Sequence, residues 1–508
     1  MKRIIICILL LAAITAAGCS DVKDPGKTDT TPVATSVIKE PDEQDDNDSL
    51  FIKIKDDLPQ TMDFGNDVVK ILVRGVEERY YDEFYVTDYS GDVVNDAIYN
   101  RELSVENRLK VDLQVELDGS NSGHGPWEWV SKYITSGACE YDIIAGSNYY
   151  TSIYAVKGEY HNLKNVENLN LDKKYWAQGI IEKMTVSDAL YMATGSISTY
   201  LYDSTFVIYF NKNLCESNGL ETAEIFNIVY NGEWTLDKMI AMTSEIYDDY
   251  NGDGKRDAGD IYGFGIQVTS ATDGLWSSCD IELTDIDSDG SIIFIPDIDK
   301  VNTVVTKMNN FLWNTIGCVA LAESPSYVKE NIYLLDQQFA DDKLLFVTDW
   351  LYSASTETMR GMTSEYGIIP YPKYDAGQED YYSFVHDKFT TVGIPITVSD
   401  TAKIGAVLEA MASEGQNNVM PAYYEIALTS RYVSDKDSVN MLNTIVSNIR
   451  MDRAWIFAPN VNAIGAKLLR NQIWNNTYTV ASTYKANYSV VNKGLATIST
   501  EFEKFKDN

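Results

Sequence analysis

Basic charge is scarce in this sequence of 508 residues. It contains 41 lysines and arginines against 75 aspartates and glutamates, which gives a formal net charge of −34 at pH 7. Proteins that bind nucleic acid electrostatically rely on basic patches facing the phosphate backbone. The charge balance therefore excludes an ordinary nucleic-acid-binding protein.

Histidine and the common catalytic motifs are also scarce. The three histidines, His124, His161 and His386, leave little material for a metal cluster or a histidine-based proton relay. The sequence has no G-x-x-x-x-G-K-[ST] phosphate loop, no H-E-x-x-H, no G-x-S-x-G and no complete G-x-G-x-x-G. Glycoside hydrolases need only two carboxylates. Most enzyme classes are therefore disfavoured, while a hydrolase with paired acids stays open.

Closely spaced cysteines are missing as well. Once Cys7 and Cys19 are assigned to an N-terminal export segment, four remain, and none of them has C-x-x-C spacing. A zinc site is therefore not expected. Either one disulfide or buried free thiols would suit an exported protein. The four are Cys139, Cys215, Cys279 and Cys318.

No apolar run reaches the roughly 20 residues that a membrane-spanning helix requires. At the N-terminus, Lys2 and Arg3 precede a shorter apolar stretch that ends in small residues, the order typical of an export signal. The sequence AAGC at 16–19 resembles the bacterial lipobox, which implies that lipid, palmitate included, is attached to Cys19 after removal of residues 1–18. An ordinary secretory signal with a chance cysteine is the alternative. We predict a lipid-anchored protein of the cell membrane that faces the extracytoplasmic side.

The segment that follows is poor in large apolar residues. Residues 19–62 are rich in Asp, Thr, Pro and Ser, with PDEQDDNDS at 41–49. Such a composition cannot offset the entropy lost on folding. It predicts a disordered acidic linker between the anchor and a folded body that begins at about residue 63.

Short apolar strands alternate with helical patterns in that body. KILV at 70–73 and YDIIAG at 141–146 are typical of buried strands, and VDLQVEL at 111–117 alternates as a half-buried strand does. Apolar residues at helical spacing predict helices over 95–109 and 402–411. This order predicts an α/β protein with mostly parallel sheets covered by helices on both faces. The length is too great for one ordinary core, so at least two lobes are expected.

Seven segments, in order, make the chain similar to a known family. Together they resemble family 1 extracellular solute-binding proteins of bacterial ABC transporters, which have the periplasmic-binding-protein type II fold, over roughly residues 65–455. The segments are YDII at 141–144, KYW at 174–176, YFNK at 209–212, GEWTL at 232–236, DIYG at 260–263, YGIIPYPK at 366–373 and PAYYE at 421–425.

The resemblance implies two α/β lobes, joined by crossing segments, that close on a ligand by hinge motion. We place one crossing near residues 192–206 and the return near 366–373. The first lobe would then comprise about 65–195 with 372–415. The second would comprise about 205–365 with 420–508.

Candidate ligand-binding residues follow the predicted strands, because ligands of open α/β sheets lie beyond the carboxyl ends of the strands. An aromatic plane beneath a sugar ring, with polar groups at its rim, matches the apolar face and the hydroxyls of the sugar. Trp350 stands where related sugar binders often have a stacking aromatic. Packing in a lobe core is the alternative for each aromatic residue. The candidates are Glu77, Ser147, Asn148, Tyr149, Tyr200, Trp350, Tyr352 and Tyr382.

An acidic motif at 249–260 has the spacing of a calcium loop. Oxygen-bearing side chains stand at loop positions 1, 3, 5, 9 and 12, a glycine stands at position 6, and position 7 offers its main-chain carbonyl. The last position is Asp instead of Glu, and a strand follows instead of a helix. A solvated acidic turn is the alternative to a structural Ca²⁺ site. The predicted ligands are Asp249, Asn251, Asp253, Lys255, Asp257 and Asp260. A similar start at 285–290 is predicted to be a hairpin turn.

These features predict a non-enzymatic, monomeric, substrate-binding lipoprotein of an ABC importer. It would capture an extracellular solute, most simply a mono- or oligosaccharide, and deliver it to membrane permease subunits. The alternative from another class is a surface glycan hydrolase or lyase that uses paired cleft carboxylates. A sensor or adhesion role for the same lobes also stays open.

Overall fold

A computed structural model describes residues 53–75, 82–119, 128–321, 334–429 and 436–508. None of the helices within these ranges has the length and apolarity needed to cross a membrane. The strands in the described ranges are β1 Asp67–Val73, β2 Val111–Leu117, β3 Ile143–Ser147, β4 Phe206–Asn211, β5 Tyr247–Asp248, β6 Ile261–Gln267, β7 Thr284–Ile286, β8 Ile292–Phe294, β9 Cys318–Leu321, β10 Leu344–Trp350, β11 Tyr366–Ile369 and β12 Thr390–Gly393.

Helices cover both sheets. The described α-helices are α1 Val93–Leu109, α2 Glu128–Thr135, α3 Asn148–Val156, α4 Gln178–Met184, α5 Tyr200–Asp203, α6 Lys212–Ser217, α7 Thr222–Tyr230, α8 Leu236–Thr243, α9 Gly274–Ser278, α10 Ile298–Asn314, α11 Leu334–Ala340, α12 Glu357–Gly361, α13 Thr401–Glu414, α14 Met420–Thr429, α15 Lys436–Ser447, α16 Arg453–Ile456, α17 Ile464–Leu468, α18 Arg470–Trp474 and α19 Val480–Lys504. Short 3-10 turns occupy Leu163–Asn165, Ala271–Asp273, Leu351–Ser355 and Ala458–Val461, and a π-turn occupies Gly415–Val419.

The first sheet has the strand order β12-β3-β1-β2. β1 is parallel to β2 and to β3, while β12 returns antiparallel beside β3 with Thr390 opposite Ser147. Apolar residues fill β3 because helices cover both of its faces. α1 follows the predicted pattern: Asp92 caps its first turn through Val94 N and Asn95 N. This lobe confirms the expectation of a mostly parallel sheet.

The second sheet has the order β11-β4-β10-β6-β5, with β9 also pairing with β6. β10 is parallel to β6 and β6 to β9, but β4 is antiparallel to both β10 and β11. The prediction of mostly parallel pairing is therefore wrong for this sheet. The chain enters the second lobe directly into β4, without a crossover helix that would align β4 with its neighbours.

Two chain segments cross side by side between the lobes. Phe206 N donates to Phe384 O at 3.0 Å, and His386 N donates to Ser204 O at 2.9 Å. The outward crossing includes Ser204 and Phe206. The return does not lie near 366–373, because Tyr366–Ile369 is strand β11 and Lys373 pairs with Trp234 and Leu236 of the second lobe. The chain returns at about residues 384–389, so the first lobe regains it later than residue 372.

The C-terminal helices contact both lobes instead of belonging to the second alone. α14 packs on α1 of the first lobe, whereas α15 packs on β11 of the second. α19 packs on β8 and α10 on one side and on α3 on the other. The chain end also reaches the first lobe, where Asn162 donates to the carbonyls of Lys506 and Asn508 at 2.8 and 3.0 Å.

The folded body begins before residue 63. Leu58 is buried, Asp56 pairs with both terminal nitrogens of Arg108 at 2.6 and 2.7 Å, and Ile54 N donates to Asn417 Oδ1 at 2.8 Å. These contacts attach residues 53–62 to the first lobe. The predicted disordered linker therefore ends about ten residues too late, because a few anchoring side chains outweigh the local composition. Residues 19–52 lie outside the described ranges.

Several resemblance segments have architectural roles. Trp176 is buried and donates from Nε1 to Glu409 Oε2 at 3.3 Å, and buried Trp234 donates from Nε1 to Pro370 O at 2.9 Å. The four cysteines of the body are free thiols, and Cys215, Cys279 and Cys318 are buried. Of the two alternatives for these cysteines, the structure has free thiols.

Candidate functional site

The crossing segments lie where the strand ends of the two sheets meet. β3 of the first lobe ends at Ser147, from which α3 begins, and β10 of the second lobe ends at Trp350. The return segment at 384–389 runs between these two ends. Side chains from both lobes therefore converge at this point.

Trp350 stands on the second-lobe side within an aromatic group. Its ring centroid lies 5.0 Å from that of His386 and 6.1 Å from that of Phe206. The Tyr209 hydroxyl donates to the carbonyls of Trp350 and Leu351 at 3.0 Å each, which fixes the end of β10. Trp350 is half-buried.

An ion pair lies close to this aromatic group. Arg470, the first residue of α18, approaches Asp273 with two nitrogens, one on each carboxylate oxygen, and the Nε–Oδ1 distance is 3.0 Å. Asp273 is almost fully buried, whereas the Arg470 side chain is 24% exposed. Burial raises the pKa of Asp273 to about 6, against the opposing effects of Arg470 and His386 and with a further contribution from the charge of Asp387.

The first lobe contributes Tyr149, the second residue of α3. Burial, the neighbouring Tyr150 and the negative charge of Asp387 raise the pKa of its phenol. Asp387 in turn lies with its Oδ1 3.1 Å from His386 Nδ1. We use the name cleft cluster for six residues that these contacts bring together from both lobes, the return segment and the C-terminal region: Tyr149, Asp273, Trp350, His386, Asp387 and Arg470.

Three other predicted residues are buried and engaged with the protein itself. Ser147 pairs with Thr390 in the first sheet, and Asn148 donates from N to Phe389 O and from Nδ2 to Ile456 O at 2.9 and 3.1 Å. The Tyr200 ring lies under the Arg74 guanidinium at 4.9 Å. All three are buried, so they offer no surface to a ligand here.

Tyr200 belongs to a buried polar network centred on Glu83. The Glu83 carboxylate accepts hydrogen bonds from the hydroxyls of Ser198 and Thr390 and from Tyr200 N, the last at 3.3 Å. Arg74 donates to Lys388 O and to Thr390 Oγ1 at 2.6 and 2.5 Å. The network thus joins the segment after β1 to both crossings.

The remaining predicted ligand-binding residues lie in different places. Tyr352 directly follows β10, in the same turn as Leu351, and is half-buried beside Trp350 in the chain. Tyr382 packs instead under Arg450, at 3.3 Å from ring centroid to guanidinium carbon, and Arg450 pairs with Asp280. Glu77 and Cys19 lie outside the described residues.

The acidic loop at 249–260 connects β5 to β6 at the end of the second sheet opposite the cleft cluster. The second acidic fragment, at 285–290, forms the turn of the β7–β8 hairpin, as predicted. Among the described residues, His, Cys, Asp and Glu side chains nowhere form a group of three or more that could hold a metal by themselves.

Sequence reasoning missed four members of the cleft cluster: Asp273, His386, Asp387 and Arg470. They come from a 3-10 turn, the return segment and a short C-terminal helix. None of these positions follows a predicted strand. A correct placement of the return crossing would have pointed to His386 and Asp387.

Solved structures share this architecture. A galacto-N-biose/lacto-N-biose I-binding protein of an ABC transporter from Bifidobacterium longum, in complex with lacto-N-biose, superposes with a TM-score of 0.53 at 12% identity, over 88% of this chain and 99% of that one. An ABC transporter solute-binding protein from Thermotoga lettingae, bound to α-D-tagatose, gives 0.51 at 14% identity over 84% and 100%. The chain has the fold of ABC-transporter solute-binding proteins.

A third structure extends the range of ligands among proteins of this fold. An ABC transporter solute-binding protein from Agrobacterium radiobacter, in complex with ribitol, superposes with a TM-score of 0.50 at 12% identity, over 84% of this chain and 98% of that one. No protein-family model and no curated protein sequence matches the chain. The likeness therefore concerns the two-lobed α/β fold.

Proposed function

We propose that this chain is the solute-binding component of an ABC importer and that it captures a hydroxyl-rich solute, a mono- or oligosaccharide, in the cleft cluster. The observation that carries the proposal is that His386 and Asp387 of the return segment link the two lobes. Asp387 interacts electrostatically with Tyr149 of one lobe and Asp273 of the other, and His386 lies against Trp350. The fold shared with proteins whose bound ligands are lacto-N-biose, tagatose and ribitol supports the same class of solute.

The cluster offers the two kinds of surface that a sugar needs. The exposed part of Trp350 can stack on the C–H face of a ring, and Tyr149 can cover it from the first lobe. Asp387 can accept hydrogen bonds from hydroxyl groups, while Arg470, held by Asp273, can donate them. The ion pair fixes the guanidinium before the solute arrives, which reduces the entropy lost on binding.

Transport would use closure of the lobes around the solute. A solute that touches both lobes favours the closed state only by the amount that it binds this state better. A micromolar dissociation constant corresponds to about 8 kcal/mol in total, divided between contact and closure. The closed form would then deliver the solute unchanged to permease subunits in the membrane, which are separate polypeptide chains.

The experiment is a thermal-shift screen of neutral sugars, polyols and peptides, followed by calorimetry on each hit. We expect a sugar or polyol to bind, and Trp350→Ala to weaken it at least tenfold. Trp129→Ala is the matched control, because Trp129 lies in α2, is 36% exposed and packs near Tyr133 and Tyr141 away from the cluster. Stabilisation by peptides alone would refute the sugar proposal.

The same hit distinguishes a receptor from a glycan hydrolase or lyase. The protein is incubated with the bound sugar, and the sugar is then analysed by mass spectrometry. A receptor returns the sugar intact, whereas a hydrolase or lyase releases shorter products. Cleaved sugar would overturn the proposal of a non-enzymatic binding protein.

We further propose that Cys19 carries the lipid anchor that holds the protein on the extracytoplasmic side of the membrane. The lipobox-like sequence before Cys19 supports this anchor. Metabolic labelling with a palmitate analogue should mark the wild-type protein and leave the Cys19→Ala variant unlabelled. Release of both proteins into the medium in equal amounts would contradict it.

A further inference from the structure

The acidic loop of the second lobe has unused ligand atoms. Asp249 Oδ1 and Asp260 Oδ1 are both inaccessible to solvent and have no hydrogen-bond partner among the described residues. Asp260 as a whole is 0% exposed. A buried carboxylate oxygen without a partner costs free energy, and native structures rarely leave one so. These two oxygens stand at the first and last positions of the loop.

The second oxygen of each carboxylate, Oδ2, accepts hydrogen bonds from groups in the loop or next to it. Asp249 Oδ2 accepts from Gly254 N at 2.9 Å. Asp260 Oδ2 accepts from Asp257 N at 3.1 Å and from the Tyr247 hydroxyl at 3.0 Å. The hydrogen bonds of both carboxylates therefore lie within the loop or next to it.

Two more of the predicted ligands, Asn251 and Asp257, contact each other in this loop. Asn251 Nδ2 lies 3.3 Å from Asp257 Oδ1, and a Cβ on Gly259 would come within 2.5 Å of Asn251 Nδ2. Gly254, at the sixth position, has φ +72°, a conformation that a calcium loop requires there and that glycine adopts without strain. Asn251, Asp257 and Gly259 therefore lie close together in the same loop.

We propose that this loop binds a calcium ion. The ligands are the side chains of Asp249, Asn251, Asp253, Asp257 and Asp260 and the main-chain carbonyl of Lys255. Among the described residues, no three of these carboxylates are gathered at one point. Calcium would therefore have to draw the loop together, with an amide, a carbonyl and water sharing the coordination. Calcium accepts such a mixture of six to eight oxygens, whereas zinc prefers nitrogen and sulfur.

The position of the loop assigns the ion a structural role. β6 begins at Ile261, directly after the loop, and runs through the middle of the second sheet towards the cleft. Arg256 donates to the carbonyls of Ile316 and Cys318, so its charge is directed to the start of β9 and away from the ion. Calcium would hold the β5–β6 connection at the far end of this lobe, without touching the solute.

The test is calcium titration of the chelator-treated protein by calorimetry, with terbium luminescence excited through Tyr247 and Tyr250 as a second readout. We expect a dissociation constant of about 10⁻⁴–10⁻³ M, the range of extracellular calcium modules. Asp253→Ala should weaken binding at least tenfold; its side chain is 37% exposed, so the variant should fold. Asp287→Ala is the matched control, because Asp287 forms a similar turn in the β7–β8 hairpin.

Two results would overturn the proposal. One is the absence of heat and of terbium luminescence with the unmodified protein at millimolar calcium. The other is equal calcium affinity in Asp253→Ala and the unmodified protein. The structural role predicts a higher unfolding temperature with calcium and an unchanged affinity for any solute found in the sugar screen. A solute affinity that depends on calcium would refute that role.

Discussion

The carboxylate of Glu83 lies 3.9 Å from the guanidinium of Arg74, and neither side chain has any exposed surface. Glu83 also accepts hydrogen bonds from Ser198 of the outward crossing and from Thr390, the first residue of β12 directly after the return crossing. Burial raises the pKa of Glu83, while Arg74 and these hydrogen bonds oppose the shift. The pair therefore joins the two segments about which the lobes would move.

Replacement of Glu83 should unfold the protein more easily. Glu83→Gln removes the carboxylate that faces the buried Arg74 guanidinium, and the loss of one partner of a buried ion pair costs about 3–5 kcal/mol. Urea unfolding followed by circular dichroism measures the change. Asp188→Asn is the control, because Asp188 pairs with Lys164 at an exposed site and its loss should not be measurable. Equal stabilities of the two variants would contradict the expectation.

The burial of Asp273 in the cleft cluster makes stability depend on pH. The pKa of Asp273 is about 6 in the folded protein against 3.8 for an ordinary aspartate. The folded state thus binds its proton more tightly than the unfolded state, and stability falls as pH rises from about 4 to about 6. Asp273→Asn should reduce the total change in unfolding free energy across this pH range by up to about 3 kcal/mol. Unfolding free energies measured across that pH range provide the comparison.

The control for this pH dependence is Asp280→Asn. Asp280 also pairs with an arginine, Arg450, but its side chain is 43% exposed. The control should therefore keep the slope of the unmodified protein. If Asp273→Asn keeps it too, Asp273 does not carry the pH dependence.

A substitution at Gly494 compares the cost of overpacking with the gain in helix propensity. An alanine in the middle of a helix is favoured over glycine by about 1 kcal/mol. A Cβ on Gly494 would however stand 2.1 Å from Asn460 O, so α19 would have to shift. We expect Gly494→Ala to lower stability by about 1–3 kcal/mol, because overpacking outweighs propensity. Thermal unfolding decides the sign, with exposed Lys493→Ala as the neighbouring control.

The free thiols should differ in reactivity. Burial raises the pKa of Cys215, Cys279 and Cys318, that of Cys279 to about 12, and leaves them inaccessible to reagents. Cys139 is only half-buried. Maleimide labelling mapped by mass spectrometry should mark Cys139 first in the native protein and all four in urea. Rapid native labelling of Cys318 would contradict the structure.

Much of the fold was predictable because local patterns decide individual elements. The strand at 111–117 alternates in burial as its sequence alternates, and the helix ending at Leu109 buries Ile98, Val105 and Leu109 as its spacing predicts. The direction of β4 and the return crossing were not predictable in this way. They depend on which distant segments pair, such as Ser204 with His386.

The candidate site was predictable only where it follows strand ends. Tyr149 was predicted because it follows the strand pattern at 141–146, and Trp350 was predicted from the resemblance to sugar-binding relatives. Asp273 and Arg470 meet across nearly two hundred residues, and nothing in either neighbourhood indicates the other. Ser147, Asn148 and Tyr200 were also predicted as ligand-binding residues, but all three are buried.

The late completion of the first lobe bears on how the chain is made. Its sheet needs Thr390 beside Ser147, and Asn162 finds its acceptors only at Lys506 and Asn508. A nascent chain therefore cannot finish this lobe until almost all of it has left the ribosome. Contacts so far apart in sequence also form slowly. A chain that folds this late would suit the export across a membrane that we propose.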